Sequence, residues 1–323
     1  MCTAVSIKFK DHYFGRNLDF EHDFGENIII TPRNFPFHFR NGTITENHYS
    51  MIGMAITQDN YPLYFDATNE AGLSMAGLNF PDNAYYFELS DQKENIAPFE
   101  LIPWFLCKYK TVEECRNACS NLQIVNIPFS SNLGLSPLHW IIADEKECIV
   151  IESTREGLHV YDNPYGVLTN NPPFPYHLHN ICNYINVSPN EPVDRFTNKP
   201  MLKAYSRGMG AIGLPGDNSS ASRFVRAAFT KLNSRCNNTE EASVTQFFHI
   251  LNSVYQVDGC TAVGKLYEKT LYSSCCNTTK GIYYYTTYEN LQVTAVHLNA
   301  IKLNESVLKI VPLNKTPQFI TAL

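Results

Sequence analysis

The chain has 323 residues and a formal net charge of −6 at neutral pH, with 44% hydrophobic and 17% charged residues. This composition is typical of a soluble globular protein, and the negative charge argues against a nucleic-acid partner, because nucleic-acid-binding proteins are usually basic. The sequence contains no run of eighteen apolar residues, so we expect no membrane-spanning helix and no membrane partner.

The N-terminal residues lack the apolar core of a secretory signal peptide, because Lys8, Lys10 and Asp11 interrupt it. Ten cysteines in a chain of this length do not make a disulfide scaffold, and without an export signal we expect reduced thiols. The expected location is therefore the cytoplasm.

The first twenty residues predict a β-hairpin. Apolar and polar residues alternate over residues 4–9 with the period of a half-buried strand, and residues 13–20 predict the returning strand. A two-residue turn at residues 10–11 would put Cys2 opposite Asp19. A shift of this turn by one residue would move every side chain to the other face of the hairpin.

Cys2 directly follows the initiator methionine, so removal of Met1 would combine a thiol and a free α-amine on one residue. A free α-amine titrates near ~7.7–8.0, which makes it a base suited to neutral pH. A nucleophile activated by its own N-terminal amine is a known variant of the nucleophile–base pair. Arg16 lies within diagonal reach of Cys2 in the predicted hairpin. A buried structural cysteine beside a surface ion pair of Arg16 and Asp19 explains the same residues equally well.

Two segments of the hairpin resemble a known family. The opening Met1-Cys2-Thr3 and the segment Phe-Gly-Arg-Asn-Leu-Asp at residues 14–19 are similar to the start of the choloylglycine hydrolases. These N-terminal-nucleophile amidases include bile salt hydrolases and penicillin V acylases. The resemblance spans the whole chain and implies one catalytic domain over residues 1–323, of the α+β class. The implied fold is a four-layer α/β/β/α sandwich, and the family needs no metal or organic cofactor.

Short apolar runs predict four further strands, at residues 27–31, 51–56, 61–65 and 73–78. The segment Gly-Leu-Asn-Phe-Pro at residues 77–81 matches the family, with Asn79 where bile salt hydrolases carry asparagine and penicillin V acylases tend to carry tyrosine. Without the family, Asn79 would be a turn residue at a strand end.

Two helices are predicted next. Pro98 suits a first helical turn, and Pro103 should kink the helix that follows it. A capping box opens a second helix that we expect over residues 111–122. Cys115 and Cys119 share a face of that helix, and because no further ligands cluster nearby we interpret both as core residues rather than zinc ligands.

Three more strands are predicted, at residues 138–142, 148–151 and 157–160. The segment at residues 165–172 follows, and here the family carries an oxyanion-hole asparagine directly after a threonine, which corresponds to Asn170. Asn171 is its neighbour, so the sequence leaves the register open between them. By residue pattern alone the segment would be a turn.

Residues 186–219 are rich in Pro, Asn, Gly and charge and show little periodicity. The resemblance implies a loop used in subunit assembly, since relatives form tetramers, so a homotetramer is expected. The glycines of residues 208–213 match the spacing of a dinucleotide-binding loop, but Pro215 would break the helix that such a loop requires. We therefore reject cofactor binding there.

A helix is predicted over residues 220–232, with Arg223 in its first turn, where a cation opposes the helix dipole. The motif Ser-Arg-Phe-x-Arg matches the family, which makes Arg223 its active-site arginine and leaves Arg226 as a surface residue. A helix with an apolar stripe follows at residues 239–254, and residues 283–296 predict a hairpin.

The resemblance implies amide hydrolysis through a thioester formed on the Cys2 thiol. Negative charge on the substrate oxygen would be held by Asn79 and Asn170. Asp19 would orient the α-amine, while the cations Arg16 and Arg223 would favour the thiolate.

The implied substrate is a steroid acid joined to glycine or taurine, that is, a conjugated bile salt. Five apolar residues are expected to line its pocket, although each is equally explicable as core: Leu18, Phe20, Phe65, Phe129 and Leu133. Penicillin V is the alternative substrate. A non-catalytic lipid-binding protein that retains Met1 is a further alternative.

Overall fold

The structure is a computed structural model that describes residues 1–199 and 201–323. In chain order its strands are β1 Cys2–Lys8, β2 His12–Phe20, β3 Asn27–Thr31, β4 Phe37–His38, β5 Ile44–Thr45, β6 Met51–Gln58, β7 Tyr61–Asn69, β8 Ser74–Asn79, β9 Glu94–Ile96, β10 Leu122–Ile124, β11 Leu138–Ala143, β12 Cys148–Thr154, β13 Gly157–Asp162, β14 Val167–Leu168, β15 Ala262–Val263, β16 Leu266–Tyr267, β17 Lys269–Asn277, β18 Ile282–Thr287, β19 Thr294–His297 and β20 Lys309–Pro312. Its α-helices are α1 Leu101–Lys108, α2 Val112–Cys119, α3 Phe174–Asn180, α4 Ser220–Asn233 and α5 Glu240–Asn252.

Two antiparallel sheets form the centre of the molecule. The first, sheet A, has the strand order β14-β1-β2-β17-β18-β19, and the second, sheet B, has the order β13-β12-β11-β8-β7-β6-β3-β20. Helices α4 and α5 contact strands of sheet A, whereas α1 and α2 contact strands of sheet B. The layer order is therefore helix, sheet, sheet, helix, which confirms the predicted α/β/β/α sandwich of the α+β class.

Sheet B is buried on both faces, and β3 shows how its residues are shared between two cores. Ile28 and Ile30 pack in the cluster that joins the two sheets, while Ile29 packs in the cluster that includes α1 and α2. Successive side chains of a strand point to opposite faces, so a strand covered on both faces is apolar without alternation. This explains the continuous Ile-Ile-Ile run.

Several predicted boundaries need correction. The helix predicted from Pro98 is a short 3₁₀ turn followed by α1, so Pro103 lies in the first turn of α1, where a proline removes no helical hydrogen bond. Helix α2 ends at Cys119 rather than Leu122, because Leu122 begins the edge pairing of β10 with β9. Cys115 and Cys119 are buried in the core, as predicted.

The sequence analysis missed the two longer strands β17 and β20 and seven shorter ones of two or three residues, β4, β5, β9, β10, β14, β15 and β16. Strand β17 matters most, because it pairs with β2 and so lies in the middle of sheet A. Among the described residues, no helix is long and apolar enough to cross a membrane.

Candidate active site

The hairpin of β1 and β2 has a register that differs from the predicted one. The strands are joined by the three residues 9–11, and Cys2 pairs with Leu18 rather than with Asp19. Because side chains alternate along a strand, Cys2 shares a face with Leu18 and Arg16, and Asp19 points to the opposite face. The predicted pairing of Cys2 with Asp19 was therefore wrong by one residue.

Asp19 is fully buried, and its carboxylate accepts hydrogen bonds from the Thr270 hydroxyl (2.6 Å) and the Gln256 side-chain amide (3.3 Å). The main chain of Asp19, rather than its carboxylate, forms hydrogen bonds with the start of the chain. The Asp19 N–H donates to the Met1 carbonyl (3.0 Å), and the Asp19 carbonyl accepts from the Met1 ammonium (2.8 Å). Asp19 therefore holds the N-terminus in place through backbone contacts.

Asn170 joins three parts of the site. The Cys2 N–H donates to the Asn170 Oδ1 (2.9 Å), which also accepts from Arg223 Nη2 (2.7 Å). The Asn170 Nδ2 donates to the carbonyl of Asn79 (2.7 Å). The Ser220 hydroxyl at the start of α4 accepts from the Asn170 N–H (2.8 Å), so the helix holds this asparagine in position.

The neighbouring Asn171 is turned away from Cys2. Its amide donates to the carbonyl of Pro81, and its side chain is half-buried. Of the two candidate asparagines, Asn170 is therefore the one that contacts Cys2.

Arg223 is fully buried behind the main chain of Cys2. Its guanidinium donates to the Cys2 carbonyl, to the Thr3 hydroxyl (2.7 Å) and to the Asn218 carbonyl (2.9 Å). Burial lowers the pKa of Arg223 below the ordinary arginine value, and the nearby Asp19 and Cys2 only partly offset this effect. The carbonyls that it contacts and the nearby Asp19 carboxylate thus offset only part of the cost of burying this cation in the first turn of α4.

Arg226, expected on the surface, is instead half-buried. Its guanidinium donates to the carbonyls of Pro215 and Asp217 (3.0 and 2.6 Å) and to the carbonyl of Ser253 (3.0 Å). Arg226 holds the segment that precedes α4 in position, and thereby helps to fix the first turn of the helix, where Arg223 lies.

Arg16 is fully buried on the same face as Cys2. Its Nη1 donates to the carbonyls of Phe65 (3.1 Å) and Gly77, while its Nη2 has no hydrogen-bond partner in the described part of the chain. Burial acts to lower the pKa of Arg16, but Cys2, Tyr272 and the carboxyl of Asp66 together raise it above the ordinary value. The guanidinium is therefore charged and retains an unused donor.

Asp66 is a buried residue of the site that the sequence analysis did not identify. Its carboxyl accepts hydrogen bonds from the hydroxyls of Tyr272 (2.7 Å) and Tyr283 (2.6 Å). Burial raises the pKa of Asp66, although Arg16 opposes the change. No local pattern around Asp66 signals this role, because both tyrosines come from the far end of the chain.

A cavity of about 360 Å³ opens beside Cys2. Arg16 and Asn79 also line it, whereas Asn170, Arg223 and Asp19 lie outside its wall. All five residues predicted for a pocket line this cavity: Leu18, Phe20, Phe65, Phe129 and Leu133.

Phe24 and Phe99 belong to the same wall and were not predicted. The Phe24 ring lies 4.7 Å from the Phe20 ring and 5.4 Å from the Phe65 ring. The aromatic spacing Phe20-x-x-x-Phe24 at the end of β2 was the available signal. In the described residues, no group of three or more His, Cys, Asp or Glu side chains is placed to hold a metal ion.

One wall of the cavity is a loop at residues 126–137 that Arg40 holds in place. The Arg40 guanidinium lies 5.7 Å from the Phe99 ring centre and 5.8 Å from that of Phe129, and its Nη2 donates to the Phe129 carbonyl (2.7 Å). Cation–π contacts and one hydrogen bond together supply roughly 1–2 kcal/mol.

We predict that Arg40→Ala raises KM roughly 3- to 10-fold and leaves kcat nearly unchanged, because a loosened wall weakens ground-state and transition-state binding equally. Steady-state kinetics on a cleaved substrate measure this. Lys108→Ala is the matched control, since Lys108 lies 4.4 Å from the Trp104 ring, away from the cavity. A loss confined to kcat would contradict the prediction.

The chain is similar to a known family and to proteins of known activity. The model of the linear amide C–N hydrolases, choloylglycine hydrolase family, matches residues 2–311. The chain is 52% identical over 320 residues to the bile salt hydrolase/transferase of Lactiplantibacillus plantarum, covering 99% of each chain.

Two solved structures share the fold. A conjugated bile acid hydrolase variant from Clostridium perfringens matches with a TM-score of 0.93 and 38% identity over 100% of both chains. The penicillin V acylase of Agrobacterium tumefaciens matches with a TM-score of 0.77 at 18% identity, over 97% of this chain and 92% of the other. The matched family model and the high identity to a curated relative together show that this chain belongs to the choloylglycine hydrolase family of linear amide C–N hydrolases.

Proposed function

We propose that the protein hydrolyses the amide bond of glycine- or taurine-conjugated bile salts, releasing the free bile acid and the amino acid. The observation that carries this proposal is the position of Cys2. It lies at the wall of an apolar cavity and is joined by hydrogen bonds to Asn170 and Arg223. The full-length identity to a bile salt hydrolase/transferase supports the same substrate.

In the proposed reaction, Met1 is removed and the α-amine of Cys2 takes the proton of its own thiol. The thiolate attacks the substrate carbonyl, so that a carbon–sulfur bond forms. The carbon–nitrogen bond then breaks, and the amino acid leaves after receiving the proton. Water attacks the resulting thioester, which releases the bile acid and restores the thiol.

The substrate oxygen of the tetrahedral intermediate carries negative charge and requires hydrogen-bond donors. Asn79 is half-buried at the cavity wall, which supports a direct role for its amide. Asn170 uses one of its two amide hydrogens on the Asn79 carbonyl, and the other, which has no partner among the described residues, is available to the same oxygen. One such donor typically contributes ~10²–10³ in rate.

The charged residues have separate proposed roles. Arg16, with its unused Nη2 beside Cys2, and Arg223 favour the thiolate. Asp19 orients the α-amine of Cys2. Its position supports this role, because its main chain lies against the start of the chain and exchanges two hydrogen bonds with Met1 before Met1 is removed.

The cavity matches an amphipathic steroid in its chemistry. Its lining is mainly aliphatic and aromatic, with few polar groups near Cys2, as small-molecule sites generally are. The steroid would occupy the apolar part formed by Leu18, Phe20, Phe65, Phe129 and Leu133, with its conjugated amide at Cys2.

Penicillin V is the alternative substrate, and Asn79 within the Gly-Leu-Asn-Phe-Pro segment favours bile salts over it. We predict that kcat/KM for glycocholate or taurocholate exceeds that for penicillin V when the three are assayed side by side. Faster cleavage of penicillin V than of both bile salts would contradict the proposal.

The proposed chemistry requires the removal of Met1, which is present in the structure, where its ammonium contacts Asp19 and Glu268. Intact mass gives the state of the N-terminus, and a trapped acyl-enzyme mapped by mass spectrometry identifies the nucleophile. A protein that retains Met1 in full, yet turns over at the full rate, would exclude the α-amine as base. An inactive protein that binds bile salts would support the lipid-binding alternative.

We further propose that residues 1–323 act as one catalytic domain, in a cytoplasmic homotetramer. Support for assembly comes from apolar residues that stand exposed between the end of α3 and α4, a pattern typical of contact surfaces. They are Ile185, Val193, Phe196, Met201, Leu202, Tyr205 and Ile212. Sedimentation equilibrium measures the number of subunits, and cell fractionation tests the cytoplasmic location.

A further inference from the structure

The start of the chain contacts the carboxylate of Glu268, which belongs to none of the family motifs and has no role in the proposed mechanism. The Met1 ammonium forms an ion pair with Glu268 Oε1. Glu268 is only 6% exposed, and its Oε2 has no hydrogen-bond partner among the described residues. A buried carboxylate with unused hydrogen-bonding capacity is costly unless a charge lies close to it. Glu268 therefore needs a positive neighbour, and the N-terminal amine is the one it contacts.

The fold holds Glu268 in a fixed position. Its N–H donates to the Thr261 carbonyl (2.8 Å), which closes the hairpin of β15 and β16. The next residue, Lys269, begins β17 and pairs with Phe20 of β2. The carboxylate is thus anchored to the same sheet that carries Cys2.

We propose that Glu268 is a positioning residue for the catalytic α-amine, holding it as an ammonium group until the pH is high enough for it to act as a base. This inference rests on the proposed function. Removal of Met1 moves the amine by one backbone unit, about 3.8 Å or less, from a point in contact with Glu268. The new amine therefore lies within about 6 Å of the carboxylate, a range in which an opposite charge favours the charged form.

Other charged groups also face this amine. Asp19 approaches from β2, but its carboxylate is already satisfied by Thr270 and Gln256. The two cations Arg16, from β2, and Arg223, from α4, lie close to Cys2 and oppose the ammonium form. Glu268 is thus the carboxylate with free capacity that counters the two arginines.

The expected consequence is a shift of the acidic limb of the kcat/KM pH profile. The mechanism needs a neutral amine, and loss of the carboxylate makes the ammonium less favourable, so the neutral amine persists to lower pH. Glu268→Gln should move the acidic limb to lower pH by about one unit. Glu268→Asp, which withdraws the carboxylate by one methylene, should move it in the same direction by less.

The matched control is Glu289→Gln, because Glu289 is a half-exposed carboxylate near the start of β17 that pairs with Lys269 (3.6 Å). Its pH profile should equal that of the wild type. If Glu268→Gln folds by circular dichroism and its acidic limb does not move, the inference is wrong. Should that variant fail to fold, Glu268→Asp decides, and an unmoved limb again overturns the inference.

A measurement without substrate separates this inference from the proposed function. The rate at which iodoacetamide alkylates Cys2, followed by the mass of the N-terminal peptide, should also rise at lower pH in Glu268→Gln, because removal of a negative charge favours the thiolate. A wild type that cleaves no bile salt would contradict the proposed function only. Identical alkylation profiles for wild type and Glu268→Gln would contradict the role of Glu268 only.

Discussion

Replacing Cys2 by serine is expected to lower kcat/KM for glycocholate by at least about 10³-fold while the protein stays folded. A serine hydroxyl is a far weaker acid than a thiol, so an α-amine that titrates near ~7.7–8.0 cannot supply an oxygen nucleophile at a comparable rate. The change is nearly isosteric at a buried position, so a thermal melt should move little. Progress curves and circular dichroism measure the two effects.

Cys260→Ser is the matched control for this substitution. Cys260 is exposed and does not line the cavity, so the same atom exchange there should leave turnover unchanged. A Cys2→Ser protein that retains more than about a tenth of wild-type activity would show that the nucleophile is elsewhere.

The second large effect is expected from Asn170→Ala, which should lower kcat by about 10²–10³-fold, equivalent to ~2.7–4 kcal/mol of transition-state stabilisation. The substitution removes a donor to the reacting oxygen. It also leaves the Cys2 nitrogen and Arg223 Nη2 without their shared acceptor and frees the carbonyl of Asn79. KM should change much less, because Asn170 itself lies outside the cavity wall that binds the steroid.

Asn171→Ala tests whether the loss belongs to position 170. Its amide contacts the Pro81 carbonyl and not Cys2, so kcat should fall no more than a few-fold. Equal losses for Asn170→Ala and Asn171→Ala would mean that both act through the turn they share rather than through the Cys2 contact.

The elements that could be predicted from sequence are those whose residues repeat with a period. The apolar stripe of α5 and the capping box of α2 act over one or two turns, so local chemistry suffices for both. Strand β17 lacked such a signal. Thr270, Ser273 and Ser274 are buried in it, and their hydroxyls bond to groups from distant strands, so the run looks polar although it lies inside the molecule.

The register of the first hairpin could not be predicted either. A two-residue and a three-residue turn are both compatible with the local sequence, and they differ in which face each side chain takes. The choice is made by burial across the whole sheet. Arg16 reaches the carbonyls of Phe65 and Gly77 on one side, and Asp19 reaches Thr270 on the other.

The sequence by itself pointed to the groups that we propose react: a cysteine after the initiator methionine, two asparagines and two arginines in motifs that resemble those of the family. It also pointed to five of the apolar residues that line the cavity, but not to Phe24 or Phe99. Only the tertiary structure decided which of these groups meet. Cys2, Asn170 and Arg223 are far apart in the sequence. The contacts of Glu268 and Asp66 form only when strands from opposite ends of the chain pair. The hydrogen-bond partners of buried polar groups are set by the tertiary structure, and a local sequence pattern does not show which distant residues they are.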